Sequence, residues 1–190
     1  FIIPPLGVMA IVLAVFAGAG FYPFGSGSVS WCDMNQQTIP LLIDFKDILD
    51  SKSGMFLNMN NAAGMNFYGV FFFFLASPFS LLVKFVDKAD MAVFANILVL
   101  LKLMTAAVTA QIYFRAYQKK LSRPLSVILS MMYALCGYGM LFYQNVIWLD
   151  MMYLFPLLML SLETLIKKQN NIPYIIMITA MLIVNYYISY

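Results

Sequence analysis

The chain has 190 residues, of which 63% are hydrophobic, 10% are charged and none is histidine, with a formal net charge of +3 and a mean hydropathy of +0.87. Soluble domains use roughly 45–50% apolar and about 25% charged residues, so water is not the main solvent of this chain. The lack of histidine removes Ser/His/Asp and Cys/His nucleophile machinery and the commonest metal ligand; any general base is a carboxylate or a lysine, and two cysteines make no disulfide framework.

No charge occurs from Phe1 to Cys32, a run longer than the ~20 apolar residues that cross a bilayer core as a helix. It opens on Phe without the basic flank of an export signal, and the chain stops at Tyr190 inside another apolar run, so it reads as a fragment of a larger protein. Five segments are long and apolar enough to be spans: about 2–22, 91–114, 125–143, 149–166 and 172–190. The fold class expected is all-α, a polytopic transmembrane helix bundle.

The longest polar stretch, 23–66, has recognisable parts. Phe24 to Ser30 is rich in Gly and Ser and predicts a loop. Thr38 followed by Pro40 suits a helix start, and Leu41, Leu42, Phe45, Ile48 and Leu49 recur at helical spacing, predicting an amphipathic helix over about 39–50. Its acids Asp44, Asp47 and Asp50 fall largely on the other face, which suits a helix lying on a membrane surface. Asn58 to Gly64 reads as a second loop. The stretch 67–86 carries Ser77-Pro78 in its middle, and the residue before a proline resists the α conformation. It reads either as a kinked span or as two short pieces that are re-entrant or interfacial.

That choice sets the topology. Arg115, Lys119, Lys120 and Arg123 fall in one short loop, 115–124, and Lys167 and Lys168 in another, 167–171; basic residues in short loops resist translocation, which makes both loops cytoplasmic. If 67–86 spans, the Asp33 segment shares their side and Asp150 lies opposite. If it does not, the Asp33 segment and Asp150 lie together on the outer face. The positive-inside rule alone leans to the first arrangement. The same basic cluster is a poor nucleic-acid site, because apolar spans flank it closely.

Three ionisable residues stand out. Asp33, in S-W-C-D-M-N-Q-Q, follows the charge-free run; in a half-dry boundary a carboxylate serves as a base towards a hydroxyl, although spacing alone favours a turn-capping acid facing water. Asp150 follows Trp148 at the start of a span, where the helix dipole is sufficient reason for an acid; the functional alternative is a second carboxylate facing Asp33, orienting an acceptor or holding a divalent cation. D-M-N at 33–35 is a degraded metal pair. Lys102 lies midway along 91–114, where a charge costs roughly 2.5–3.5 kcal/mol on insertion scales; it binds a lipid phosphate from inside the bundle, pairs with an acid, or snorkels. Glu163 and Lys167 are spaced i, i+4 for a surface ion pair. The fifteen methionines and the Phe71–Phe74 tract read as packing or lipid-facing residues.

The ordered set W-C-D-M-N-Q-Q-T-I-P-L, N-A-A-G-M-N-F-Y-G, L-A-S-P-F-S-L-L, L-K-L-M-T-A-A and W-L-D-M-M-Y-L-F-P-L-L resembles the bacterial YfhO membrane proteins from about Gly20 to Glu163. That family looks like GT-C-type glycosyltransferases that use polyprenyl-phosphate sugars. The resemblance implies that this chain is the N-terminal part of a longer membrane core, with membrane-parallel helices in an extracytoplasmic first loop. It implies Asp33 as base or acceptor ligand and Asp150 as the second catalytic acid, and Lys102 matches the lysine of the L-K motif; beside these, Asn35, Gln36 and Lys102 are expected to bind substrate, Lys102 through an inferred contact to the lipid phosphate. The full D-x-D pattern is missing, which leaves metal dependence and the donor site open, with Asp33 a candidate ligand for a divalent cation.

The function expected on that basis is transfer of a sugar from an undecaprenyl-phosphate donor to a cell-envelope polymer such as lipoteichoic acid, at the bacterial plasma membrane, with membrane lipid as surroundings and no nucleic acid. Two rivals come from other classes: a transporter or flippase for a lipid-linked substrate, suggested by Lys102 and the interrupted stretch 67–86, and a non-catalytic membrane scaffold.

Overall fold

The computed structural model describes residues 1–61, 63–117 and 121–189, and these form an all-α bundle of membrane-type helices. Helix α1, Ile3–Ala19, begins with a proline in its first turn, where no intrahelical N–H is needed, and ends on Gly20 in the left-handed conformation at φ +69°. Without a Cβ, Gly20 takes that conformation freely and turns the chain into the polar segment. A π-helical turn, Met34–Thr38, runs directly into α2, Ile39–Leu49. Winding therefore starts before the Thr38-Pro40 pair, and the Thr38 hydroxyl makes no capping bond. Leu41, Leu42 and Phe45 are buried, and α2 lies against the helices that follow it; its apolar face is covered by protein.

Helix α3, Phe67–Val70, continues through the π-helical turn Phe71–Leu75 and then breaks. Beyond Ser77, which is extended as a residue before proline should be, a 3-10 helix runs over Pro78–Phe85 at 106° to the first piece. Both flanks of this bent pair are tied to α2. On the near side Asp44 accepts hydrogen bonds from Asn60 and Asn61, at 3.0 and 2.7 Å. On the far side Lys88 donates to Asp47 at 2.6 Å, and Lys46 donates to the Lys84 carbonyl at 3.0 Å. The stretch 67–86 thus returns to the place it left.

Helix α4, Met91–Tyr117, is the axis of the bundle, and α1, α5 and α7 pack around it. Its buried stripe includes Ala95, Ala106, Ala107 and Ala110; small residues let neighbouring backbones approach, which is how helices associate where hydrophobicity supplies no preference. Interhelical hydrogen bonds add to this: Gln111 donates to the Ser126 hydroxyl at 3.1 Å and accepts from Ser130 at 2.8 Å. Helix α5, Arg123–Ala134, is separated from α6, Gly137–Phe142, by an extended Cys136, so the apolar run 125–143 is two helices. Gly137 and Gly139 weaken helix propensity there, and Gly139 sits where a Cβ would lie 3.0 Å from the Ala134 carbonyl and 3.3 Å from Leu103 and Met152.

Helix α7 spans Trp148–Lys168, and α8, Ile172–Val184, breaks at a buried, extended Asn185 before the single turn α9, Tyr186–Ser189. Among the described residues three helical stretches are long and apolar enough to cross a membrane, Lys88–Tyr117, Arg123–Phe142 and Trp148–Lys168, or four if the bent pair is one span; α1 and α8 are apolar but shorter.

The two ends of the bundle differ in charge. Tyr117 ends α4, and the Lys167 ammonium at the end of α7 stands over its ring, 4.5 Å from the centroid. Arg115, Arg123 and Lys168 lie exposed at the same helix ends; Lys119 and Lys120 fall outside the described residues. Glu163 and Lys167 form an ion pair at 2.7 Å. The polar segment joins the other end of α4, where the Ser28 hydroxyl bonds the Ala92 carbonyl.

Candidate functional site

Asp33 is positioned by a chain of local constraints that begins at α1. Phe21 and Gly27 pair in a short bridge, with Tyr22 N–H donating to the Gly27 carbonyl at 2.9 Å and Gly27 N–H to Gly20 at 3.1 Å. Gly25 packs so tightly beneath this turn that a Cβ would lie 2.3 Å from the Gly20 carbonyl oxygen. One buried side chain of α4, Asn96, then binds the whole loop. It accepts from Val29 N–H at 2.8 Å and the Ser28 hydroxyl at 3.1 Å, and donates to the Tyr22 carbonyl at 3.2 Å. Each such bond contributes only about 0.5–1.5 kcal/mol, but a buried amide left without partners costs about 1–3 kcal/mol, so Asn96, one turn along from the Ser28 bond to Ala92, fixes the loop to α4.

The Asp33 carboxylate is exposed and makes no capping bond to the turn it precedes; the neighbouring thiol of Cys32 lies 3.8 Å from Oδ1. Cys32 itself sits at φ +47°, a left-handed conformation that costs a non-glycine residue about 1–3 kcal/mol and persists only where its surroundings impose it. The Asn35 amide donates to the Ser30 carbonyl at 3.1 Å, closing the turn from the other side, and Gln36 faces solvent. A free carboxylate on a strained, pinned turn is thus available to a ligand, with amide groups two and three residues away.

Asp150 and Lys102 are elsewhere. Both are fully buried, and they pair with each other: Lys102 Nζ donates to Asp150 Oδ2 at 2.8 Å and to the Val146 carbonyl at 2.9 Å. The other carboxylate oxygen, Oδ1, accepts from the Ser77 hydroxyl at 2.8 Å. The Lys102 level is eleven residues along α4 from Met91, about 16 Å at 1.5 Å per residue. Among the three fates that the sequence leaves open for Lys102, the geometry shows pairing with an acid. Asp150 points at Lys102 and at the break in the bent pair; it shares no hydrogen bond with Asp33.

Sequence reasoning missed Asn96 and Ser77. A signal for Asn96 existed: it is a lone amide in the run F-A-N-I-L-V-L, and polar side chains in apolar helices bond something. Ser77 was noticed only as the residue before Pro78.

Among the described residues no three Asp, Glu or Cys side chains gather in one place.

No curated protein and no solved structure matches the chain. The match to the family described as bacterial membrane protein YfhO extends over residues 2–190, and the chain belongs to that family.

Proposed function

We propose that this protein is a multi-pass glycosyltransferase of the bacterial plasma membrane, moving a sugar from an undecaprenyl-phosphate carrier to an extracytoplasmic cell-envelope polymer such as lipoteichoic acid. The observation that carries the reading is the free Asp33 carboxylate on a pinned turn, in a chain of the YfhO family. In the proposed reaction Asp33 takes the proton of an acceptor hydroxyl. The hydroxyl oxygen bonds to the anomeric carbon, the bond from that carbon to the phosphate oxygen breaks, and the polyprenyl phosphate leaves with its electrons. Asn35 and Gln36 stand beside Asp33 to hydrogen-bond sugar or polymer hydroxyls. Lys102 is kept from the donor by Asp150; the role we propose for the pair is to hold the bundle beneath the site. An apolar cavity of about 160 Å³ lined by Val12, Phe16, Val99, Leu103 and Met140 has the chemistry to take part of a prenyl chain.

For the sidedness, the basic end of the bundle is cytoplasmic in this reading, so the Asp33 end is extracytoplasmic. Support comes from the ties of both flanks of 67–86 to α2, which suit a segment that does not cross. A membrane-impermeant thiol reagent applied to intact cells is expected to label the exposed Cys32 while sparing the half-buried Cys136. Labelling of Cys32 only after the cells are opened would overturn the proposed sidedness.

A second reading, a flippase for a lipid-linked substrate, is favoured by the broken helix pair resting on a buried ion pair, since discontinuous helices are the commonest carriers of midplane sites in transporters. The full-length protein in vesicles, given a labelled polyprenyl-phosphate sugar and a polyol-phosphate acceptor, separates the two. Labelled acceptor is the expected product; carrier translocation without transfer sinks the enzyme.

A further inference from the structure

The hairpin between Met55 and Phe67 buries Asn58 and ties Asn60 and Asn61 to α2, while its largest apolar side chains stand exposed. Its stem is closed by Asn58 and Met65, which exchange backbone hydrogen bonds at 3.0 and 3.2 Å, and by Phe67 N–H donating to the Met55 carbonyl at 2.9 Å. Asn58 is buried and its side-chain oxygen accepts from Asn60 N–H at 2.9 Å. The amides of Asn60 and Asn61 both turn back to Asp44 on α2. What faces outward is Phe56, 77% exposed, Leu57, 58%, and Met59, 67%. A contiguous group of large apolar side chains held outward marks a surface that meets something other than bulk water.

The outward residues form one surface. Gly64, at φ +110°, closes the turn beneath Leu57 and Met59, and a Cβ there would lie 3.3 Å from Leu57 Cδ1 and 3.1 Å from Met59 Sδ. The Phe56 ring packs edge-on against Tyr68, centroids 5.1 Å apart. Tyr68 and Phe72 are one turn apart on the helical stretch Phe67–Leu75, and both are exposed. The apolar surface of the hairpin therefore continues onto the outward face of a helix whose sequence is nearly all hydrocarbon and aromatic. Lys52, exposed and 3.7 Å from the Asp50 carboxylate, precedes it.

We infer that this hairpin is a membrane-contacting wedge: Phe56, Leu57 and Met59 enter the interfacial layer of the leaflet alongside Phe67–Leu75, with Lys52 beside the lipid phosphates. Continuity with that helix selects lipid over a protein partner. Aromatic and thioether side chains suit a layer with a wet and an apolar side, and a basic residue suits anionic headgroups. Because Asn60 and Asn61 bond Asp44, the wedge also sets the height of α2 and of the Asp33 turn in front of it, at the level of lipid headgroups. None of this depends on sugar transfer.

The test uses the full-length protein in phosphatidylcholine vesicles, with Phe56→Trp and Met59→Trp made separately and each read as the difference from the parent's fluorescence. The added tryptophans are expected to emit at shorter wavelength than in water, to lose intensity when the acyl chains carry bromine near the headgroup end, and to resist acrylamide. Water-like emission quenched by acrylamide overturns the proposal. So does shielding from acrylamide without quenching by brominated lipid, which would mean that protein covers the hairpin. If neither variant folds, water-borne peroxide on the unaltered protein decides: Met59 is expected to resist oxidation in vesicles, and its conversion to sulfoxide there overturns the wedge.

Discussion

Replacing Asp33 by Asn in the full-length protein is expected to lower sugar transfer by ~10²–10⁴-fold, the usual contribution of a positioned general base, while leaving folding and donor binding intact. The second half of that expectation follows from the structure. The Asp33 side chain is exposed, caps nothing and contacts only a weak thiol donor among the described residues, so the isosteric amide removes a charge without removing a structural bond. Surface substitutions of this kind stay within about 0.5 kcal/mol of the parent in stability. The measurement is transfer of labelled sugar to acceptor, alongside thermal unfolding in detergent. Undiminished transfer would remove Asp33 from the mechanism. Loss of transfer accompanied by an equal loss of folded protein would show that the carboxylate serves the fold.

Lys102→Met is expected to do the opposite, destabilising the bundle by about 3–5 kcal/mol, because it strands the Asp150 carboxylate in a dry interior. Asp150 is fully buried, with Lys102 on one oxygen and Ser77 on the other. A Ser hydroxyl does not replace an ammonium as a countercharge. Removing both charges together, Lys102→Met with Asp150→Leu, is expected to recover much of the loss, since well-packed apolar residues substitute for a buried pair at little cost. What the double variant lacks is the tether on Ser77, so amide exchange should rise in Phe71–Phe85, on either side of the break, while α4 and α7 stay protected. Equal stability of the single variant and the parent would contradict the pairing described above.

These two residues show what was readable in the sequence and what was not. Helix type, membrane character and family were legible because they rest on composition, on run length and on short ordered motifs, all local properties. The face of α2 that the structure buries is the one marked by the spacing of Leu41, Leu42 and Phe45; spacing, however, names a face without naming what covers it, and here protein covers it. Asp150 and Lys102 each drew attention as costly charges, but their pairing joins positions 48 residues apart, and no periodicity encodes that. The break at Cys136 was hidden because an apolar run looks the same whether it is one helix or two. The Asp33 turn was recognised by its motif, whereas its anchor, Asn96, lies 63 positions away on another helix and belongs to no motif that local reasoning weighs.

The link between Ser77 and Asp150 has a consequence for the order in which the protein is made. The two residues are 73 positions apart, and Lys102 lies between them. At synthesis rates of about 5–20 residues per second, Lys102 exists for about 2–10 s before Asp150 is added, and the bent segment waits longer still. During that interval the cation near the middle of α4 lacks its partner Asp150, and Ser77 lacks the carboxylate that it bonds in the finished bundle. The contacts that seat Lys102 and Ser77 are therefore completed only once α7 has been made.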